Sequence, residues 1–137
     1  MKYMGLDVGD KNIGIAISSG IIAQGLCTYR RISDVKDMDY INSLVKQYEV
    51  FKVVVGLPKN MNGSIGFQGE KVISFCDELR KALDSNVEIK FIDERLTTVL
   101  AHNFMLEADM SRKKRKNIVD KIAAQIILQD YLDMTNK

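Results

Sequence analysis

One histidine, one proline and two cysteines are all that this chain of 137 residues contains of those types. Each scarcity removes a class of chemistry. His102 stands alone, so neither a histidine-built zinc site nor a nucleophile–histidine pair has partners at persuasive spacing. Cys27 and Cys76 lie far apart without a Cys-x-x-Cys spacing, and are expected to be buried, reduced thiols. No apolar run nears the roughly 20 residues that cross a bilayer. Asp7, Asp10 and Lys11 interrupt any leader-like stretch at the N-terminus. A cytoplasmic protein without a membrane partner is the expectation. An excess of one charge is missing too, since 20 Lys+Arg face 18 Asp+Glu for a net +2. Catalysis, if any, must come from carboxylates, hydroxyls, lysines or arginines.

The composition, 46% hydrophobic and 28% charged, is that of an ordinary globular chain, and its length fits one domain spanning residues 1–137. Apolar runs at 3–8 and 13–18, separated by Gly9-Asp10-Lys11-Asn12, predict a hairpin, with a third strand over 21–31. Helical spacing follows over 37–48, carried by Met38, Ile41, Leu44, Val45 and Tyr48. The continuously apolar run 50–57 reads as a strand covered on both faces, ended by Pro58. A glycine-containing loop over 59–69 leads to a helix over 70–83 and a strand over 87–92. Two helices, near 98–107 and 117–133, close the chain and are joined by a basic run. A meander followed by alternating strands and helices implies an α/β fold on a mixed sheet, its later strands parallel.

Three acidic positions are poorly explained by a solvated surface. Asp7 interrupts an apolar strand, where an uncompensated carboxylate is costly, although a strand-end Asp capping the turn at Gly9 would also account for it. Asp93 and Glu94 follow a strand and, if it runs on through them, point to opposite faces. Asp120 opens the helical face 120, 123, 124, 127, 128 and 131, opposite Lys121, Gln125 and Gln129, so it begins the inward side of the last helix. A first-turn Asp complementing the helix dipole is the competing explanation there. Together these carboxylates could supply oxygen ligands for Mg²⁺ or Mn²⁺, and such ions cleave phosphodiesters without histidine or a covalent intermediate. Arg112, Lys113, Lys114, Arg115 and Lys116 could neutralise several phosphates without reading sequence, or could simply be a solvated link. The loop over 59–69 could offer amides to a phosphate ahead of a helix, but it matches no nucleotide fingerprint. Ordinary turn glycines explain it better.

Four segments in order complete the pattern: Gly5-Leu-Asp-Val-Gly-Asp-Lys-Asn-Ile-Gly-Ile-Ala-Ile-Ser18, Val54-Val-Gly-Leu-Pro58, Asp93-Glu-Arg-Leu-Thr-Thr98 and Val119-Asp-Lys-Ile-Ala-Ala-Gln-Ile-Ile-Leu-Gln129. Over essentially its whole length the chain resembles the YqgF/RuvX family of Holliday-junction-resolvase-like proteins and pre-16S rRNA nucleases. The resemblance implies a ribonuclease H-like fold, a mixed five-stranded sheet flanked by helices, and a divalent-metal nuclease maturing the 5′ end of 16S rRNA. It implies Asp7, Glu94 and Asp120 as the catalytic, metal-holding acids, with Asp93 in reserve. Lys11, Arg95, Thr98 and the basic run 112–116 are the expected nucleic-acid contacts. Other resolvases of this fold carry an acid at the end of the fourth strand, where this chain has Gly56-Leu-Pro, so its site would be completed from the next strand. The expected partner is precursor rRNA or branched DNA, acted on by a monomer or homodimer. Junction resolution on branched DNA, and a non-catalytic nucleic-acid-binding factor in transcription or ribosome assembly, are the alternative readings.

Overall fold

The computed structural model describes residues 2–96 and 112–135, with backbone alone for 96 and 112–120. Three antiparallel strands come first: β1 (Lys2–Val8), β2 (Asn12–Ser19) and β3 (Ile22–Arg30). They are followed by α1 (Asp34–Gln47), β4 (Val50–Leu57), α2 (Phe67–Ala82) and β5 (Glu88–Asp93). A short 3₁₀ turn (Glu94–Leu96) and α3 (Arg112–Thr135) complete the described chain. The sheet has five strands in the order β3-β2-β1-β4-β5, with β4 parallel to both β1 and β5. The expected helix over 98–107, and His102 with it, falls outside the described residues.

Alternation along the strands builds two cores. Met4, Leu6, Val8, Ile13, Ile15, Val53, Val55 and Leu57 project to one face, where α1 and α2 cover them. On the other face Ala16, Ala23, Val54 and Ile92 pack against Ala123, Ala124, Ile127, Leu128 and Leu132 of α3. From Ala123 to Leu128 the inward face of α3 is thus the one its periodicity foretold, and Leu132, rather than the half-buried Tyr131, ends it. Both cysteines are unbridged, and burial pushes the Cys76 thiol up to about 12.

Three helices start earlier than expected. Helix α1 begins three residues early because Ser33 caps it, its side chain accepting from the Lys36 amide at 3.2 Å. Helix α2 begins at Phe67 behind Gly66, with no side-chain cap. The basic run 112–116 is not a link but the opening of α3. Lys and Arg are good helix formers, and nothing between 112 and 117 breaks the helix, so it extends back through them despite an unfavourable dipole. Gln125 and Gln129, expected on the outer side of α3, instead reach the outer strand β3. Gln129 Oε1 accepts from the Ala23 amide at 2.9 Å, and Gln125 Oε1 from the Gly25 amide at 3.1 Å. They satisfy backbone groups that an outer strand leaves open.

Beside the carboxyl end of β1, Asp37 of α1 is buried and accepts hydrogen bonds from Tyr29 Oη (3.0 Å), Arg31 Nε (2.9 Å) and the Ile32 amide (2.9 Å). Arg31 Nη1 in turn donates to the Gly9 carbonyl at 3.0 Å, which ties the turn after β1 to α1. Burial pushes the Asp37 carboxyl up, but these hydrogen bonds and the Arg31 charge outweigh it and hold it below its ordinary 3.8. The unfolded chain therefore binds this proton more readily than the folded one, and the contribution is complete above about pH 5 and lost as acidity rises through the carboxylate range. Asp37→Asn should cost about 2–3 kcal/mol at neutral pH. Urea unfolding followed from about pH 6 to 2 should show a shallower acid loss in the variant than in the wild type.

Candidate active site

The face of the sheet under α3 carries two close approaches. A Cβ on Gly5 would lie 2.7 Å from Leu128 Cβ and 2.8 Å from the Ala124 carbonyl oxygen, so the helix rests almost on the strand backbone. Tyr3 meets Tyr131 edge-on at 6.3 Å, two strand positions before Gly5 meets Ala124 and Leu128. Helix α3 therefore runs antiparallel to β1. Its start lies toward the strand end that bears Asp7, and position 120 falls one turn before Ala124 in that direction.

Asp7 shares the α3 face with Gly5, two residues along the pleat. The register pairs Leu6 with Val55, so one position further on Asp7 stands beside Gly56. A Cβ on Gly56 would lie 2.7 Å from Glu94 Oε1 and 2.6 Å from Ile127 Cδ1. The Glu94 carboxyl thus lies over the bare backbone of β4, with Asp7 one strand spacing away, ~4.8 Å between the strands. Glu94 is half-buried, and desolvation first, then the negative charge of Asp93, push its carboxyl above the usual glutamate range. The part that Gly56 plays in seating Glu94 is one that the residues alone do not advertise. In sequence, Gly56-Leu-Pro reads as a missing acid, whereas its glycine makes room for the acid that follows β5.

Asp93 goes the other way. Its register partner is Leu57, which belongs to the opposite core, so Asp93 and Asp7 lie on different faces of the sheet. Arg95 closes on it, with Nη2 2.7 Å from Oδ2, Nε 3.1 Å from both carboxyl oxygens, and its amide 3.0 Å from Oδ1. These hydrogen bonds hold the Asp93 carboxyl below its ordinary value. Arg95 Nη1 also donates to the Met61 carbonyl at 3.2 Å, tying the loop between β4 and α2 to the end of β5. That loop uses its amides internally: Asn60 N donates to the Ser64 carbonyl, Gly63 N to the Asn60 carbonyl, and Ser64 N to Asn62 Oδ1. It folds around its own turn, with Gly63 at a φ of +88°.

Lys11 is exposed in the turn between β1 and β2, where its carbonyl accepts from the Arg31 amide at 2.8 Å. Thr98 lies outside the described residues, and for Asp120 and 112–116 the described structure stops at the helical backbone. Among the described residues no three His, Cys, Asp or Glu side chains come together as a metal cluster.

A central antiparallel hairpin extended by two parallel strands, with acids at the carboxyl ends and a helix closing one face, is a ribonuclease H-like domain of the RuvC type. Thermus thermophilus RuvC in complex with a Holliday junction substrate superposes with a TM-score of 0.59 at 12% identity, covering 98% of this chain and 96% of that one. The fowlpox virus resolvase bound to junction DNA superposes at 0.57 and 13% identity, with both chains covered in full. The chain itself belongs to the RuvX family, whose model, described as Holliday junction resolvase, matches residues 1–134. It is 60% identical to a protein of Caldanaerobacter subterraneus over 97% of this chain and 96% of the relative. It is 56% identical, end to end on both sides, to one of Clostridium botulinum strain Hall. Both relatives carry the description "Putative pre-16S rRNA nuclease".

Gly56→Ala tests the seat of Glu94. The added methyl must displace Ile127 and the carboxyl, at about 1–3 kcal/mol by chemical denaturation. Removing the obstruction with Glu94→Ala in the same chain should recover part of that loss, a coupling of about 0.5 kcal/mol or more in the double-mutant cycle. Strict additivity would mean that the two groups do not share this space.

Proposed function

We propose that the chain is a divalent-metal-dependent nuclease that hydrolyses phosphodiester bonds in precursor 16S rRNA, trimming its 5′ end in the cytoplasm. The observation that carries this reading is the half-buried Glu94 carboxyl lying over Gly56, one strand from Asp7. The Glu94 carboxyl, lying above β4 beside the strand that carries Asp7, loses hydration on a covered face. The upward push on Glu94 expresses the lost hydration, a cost that a bound cation would offset. Carboxylate oxygens suit a hard cation, and Asp7, Glu94 and Asp120 would hold Mg²⁺ or Mn²⁺. Such an ion, when bound, neutralises the charge gathering on the scissile phosphate and makes its water more acidic.

The protein's own groups do the rest. Packing on β4 fixes Glu94 before substrate arrives, so little reorganisation is needed at the reacting centre. Asp93 acts at one remove, holding Arg95 and through it the loop beside the site, which makes Glu94 rather than Asp93 the middle acid. The basic run lies four to eight residues ahead of Asp120, roughly 6–12 Å further along the helix axis. It gathers the phosphates flanking the cut, and Lys11 adds a further cation at the strand end. The names of the two relatives support RNA as the substrate, while the family model's description and the fold neighbours keep branched DNA as the second reading. Resolving a four-way junction symmetrically calls for a two-fold dimer, whereas trimming one RNA end is within the reach of a monomer.

Cleavage of labelled precursor rRNA, unrelated single-stranded RNA and a four-way DNA junction, each with Mg²⁺, Mn²⁺ or EDTA, tests the reading. Wild type should cut the precursor in either metal, and Asp7→Asn should lower the rate roughly a hundred-fold or more. Preference for the junction would replace RNA by DNA as substrate. Binding without cutting in either metal would leave a nucleic-acid-binding factor.

A further inference from the structure

On the opposite face of the sheet, at the same end, the turn after β1 and the flanks of α1 and α2 enclose an open cleft of about 470 Å³. Its floor is apolar, formed by Val8, Met38 and Phe75. At its mouth stands Phe67, the first residue of α2, which is 75% exposed and contributes nothing to either core. Lys71 Nζ sits 4.5 Å from the Phe67 ring centroid and 3.2 Å from Asp10 Oδ1, so ring, ammonium and carboxylate form an ordered rim. The lining carries four acids (Asp10, Asp34, Glu70 and Glu78) against the two cations Arg31 and Lys71. Arg31 is already engaged by Asp37 and the Gly9 carbonyl.

That balance is wrong for a phosphate pocket. It suits a flat, largely neutral group that has an aromatic face and donates N–H bonds at its edge, which describes a nucleobase. The position points the same way. Asp7 and Val8 are consecutive on β1 and project to opposite faces, so carboxylates and cleft stand back to back across one strand end.

Building on the nuclease reading, we infer that this cleft receives an unpaired nucleobase next to the scissile phosphate. Phe67 stacks on the base, the acidic lining accepts from its amino edge, and Lys71 faces the flanking phosphate. A base held in a duplex cannot turn into the cleft without being unstacked, so the site selects single-stranded substrate.

The chain contains no tryptophan, which makes the test direct. Phe67→Trp, placed in the Asp7→Asn protein so that nothing is cut, carries one reporter on an exposed position. Its emission should be quenched saturably by a single-stranded oligoribonucleotide, and several-fold less readily by the same sequence as a blunt duplex. Phe67→Ala in the same background should bind the single strand roughly five- to hundred-fold more weakly by anisotropy. RNA that binds while the emission of the introduced indole is unmoved, or Phe67→Ala binding as tightly as its parent, would overturn the proposal. The two readings separate cleanly. Quenching in a protein whose wild type cuts nothing keeps the base site and removes the nuclease, and cutting with a silent position 67 does the reverse.

Discussion

The contact on which the rest of this molecule depends is the approach of α3 to the bare backbone of β1 at Gly5. Ala123 and Ala124 are fully buried there, and a single methyl on Gly5 would overlap the Leu128 side chain. Interiors packed at crystal-like density cannot absorb such an overlap without moving an element. The strand and helix are therefore locked in one translation and one direction. That direction brings the helix start, and not its end, to the strand terminus bearing Asp7. An uncharged, side-chain-free contact thus sets how the helix start lies against the strand end.

Alternation along the strands then sorts the acids. Asp7 and Glu94 reach the α3 face, whereas Asp93 turns to the other and meets Arg95. Had all three shared a face, their repulsion would have needed compensation from the fold itself. Instead Asp93 is paired with an arginine, and the half-buried Glu94 lies over Gly56 on the face that Asp7 shares. Asp37 shows the contrasting solution on the far side of β1. Itself buried, it accepts from three donors that hold its carboxyl down against burial, whereas desolvation and the Asp93 charge push that of Glu94 up.

Much of this was legible in the residues. The apolar runs around Asp7 and over 50–57 foretold the central strands, and the spacing of Ala123, Ala124, Ile127 and Leu128 foretold the face on which α3 packs. The features that stayed hidden depend on partners distant in sequence. Gln125 and Gln129 look like solvent-facing residues on a helical wheel, because the strand edge they bond lies about a hundred positions earlier. The basic run resembles a linker because its helicity is decided by the helix it opens. A glycine after Val55 reads as an absence until β5 brings Glu94 across it.

The same glycine also bears on the connection that follows it. With no side chain at Gly56, the second acid arrives from the 3₁₀ turn beyond β5 and settles above the sheet, leaving the β4–α2 connection without a carboxylate to present. That connection closes on itself, braces against Arg95 and leads into α2 with Phe67 exposed. A carboxyl seated on one face and an exposed aromatic at the rim of a cleft on the other thus stand at the same end of the sheet, and only the first depends on the bare backbone of Gly56.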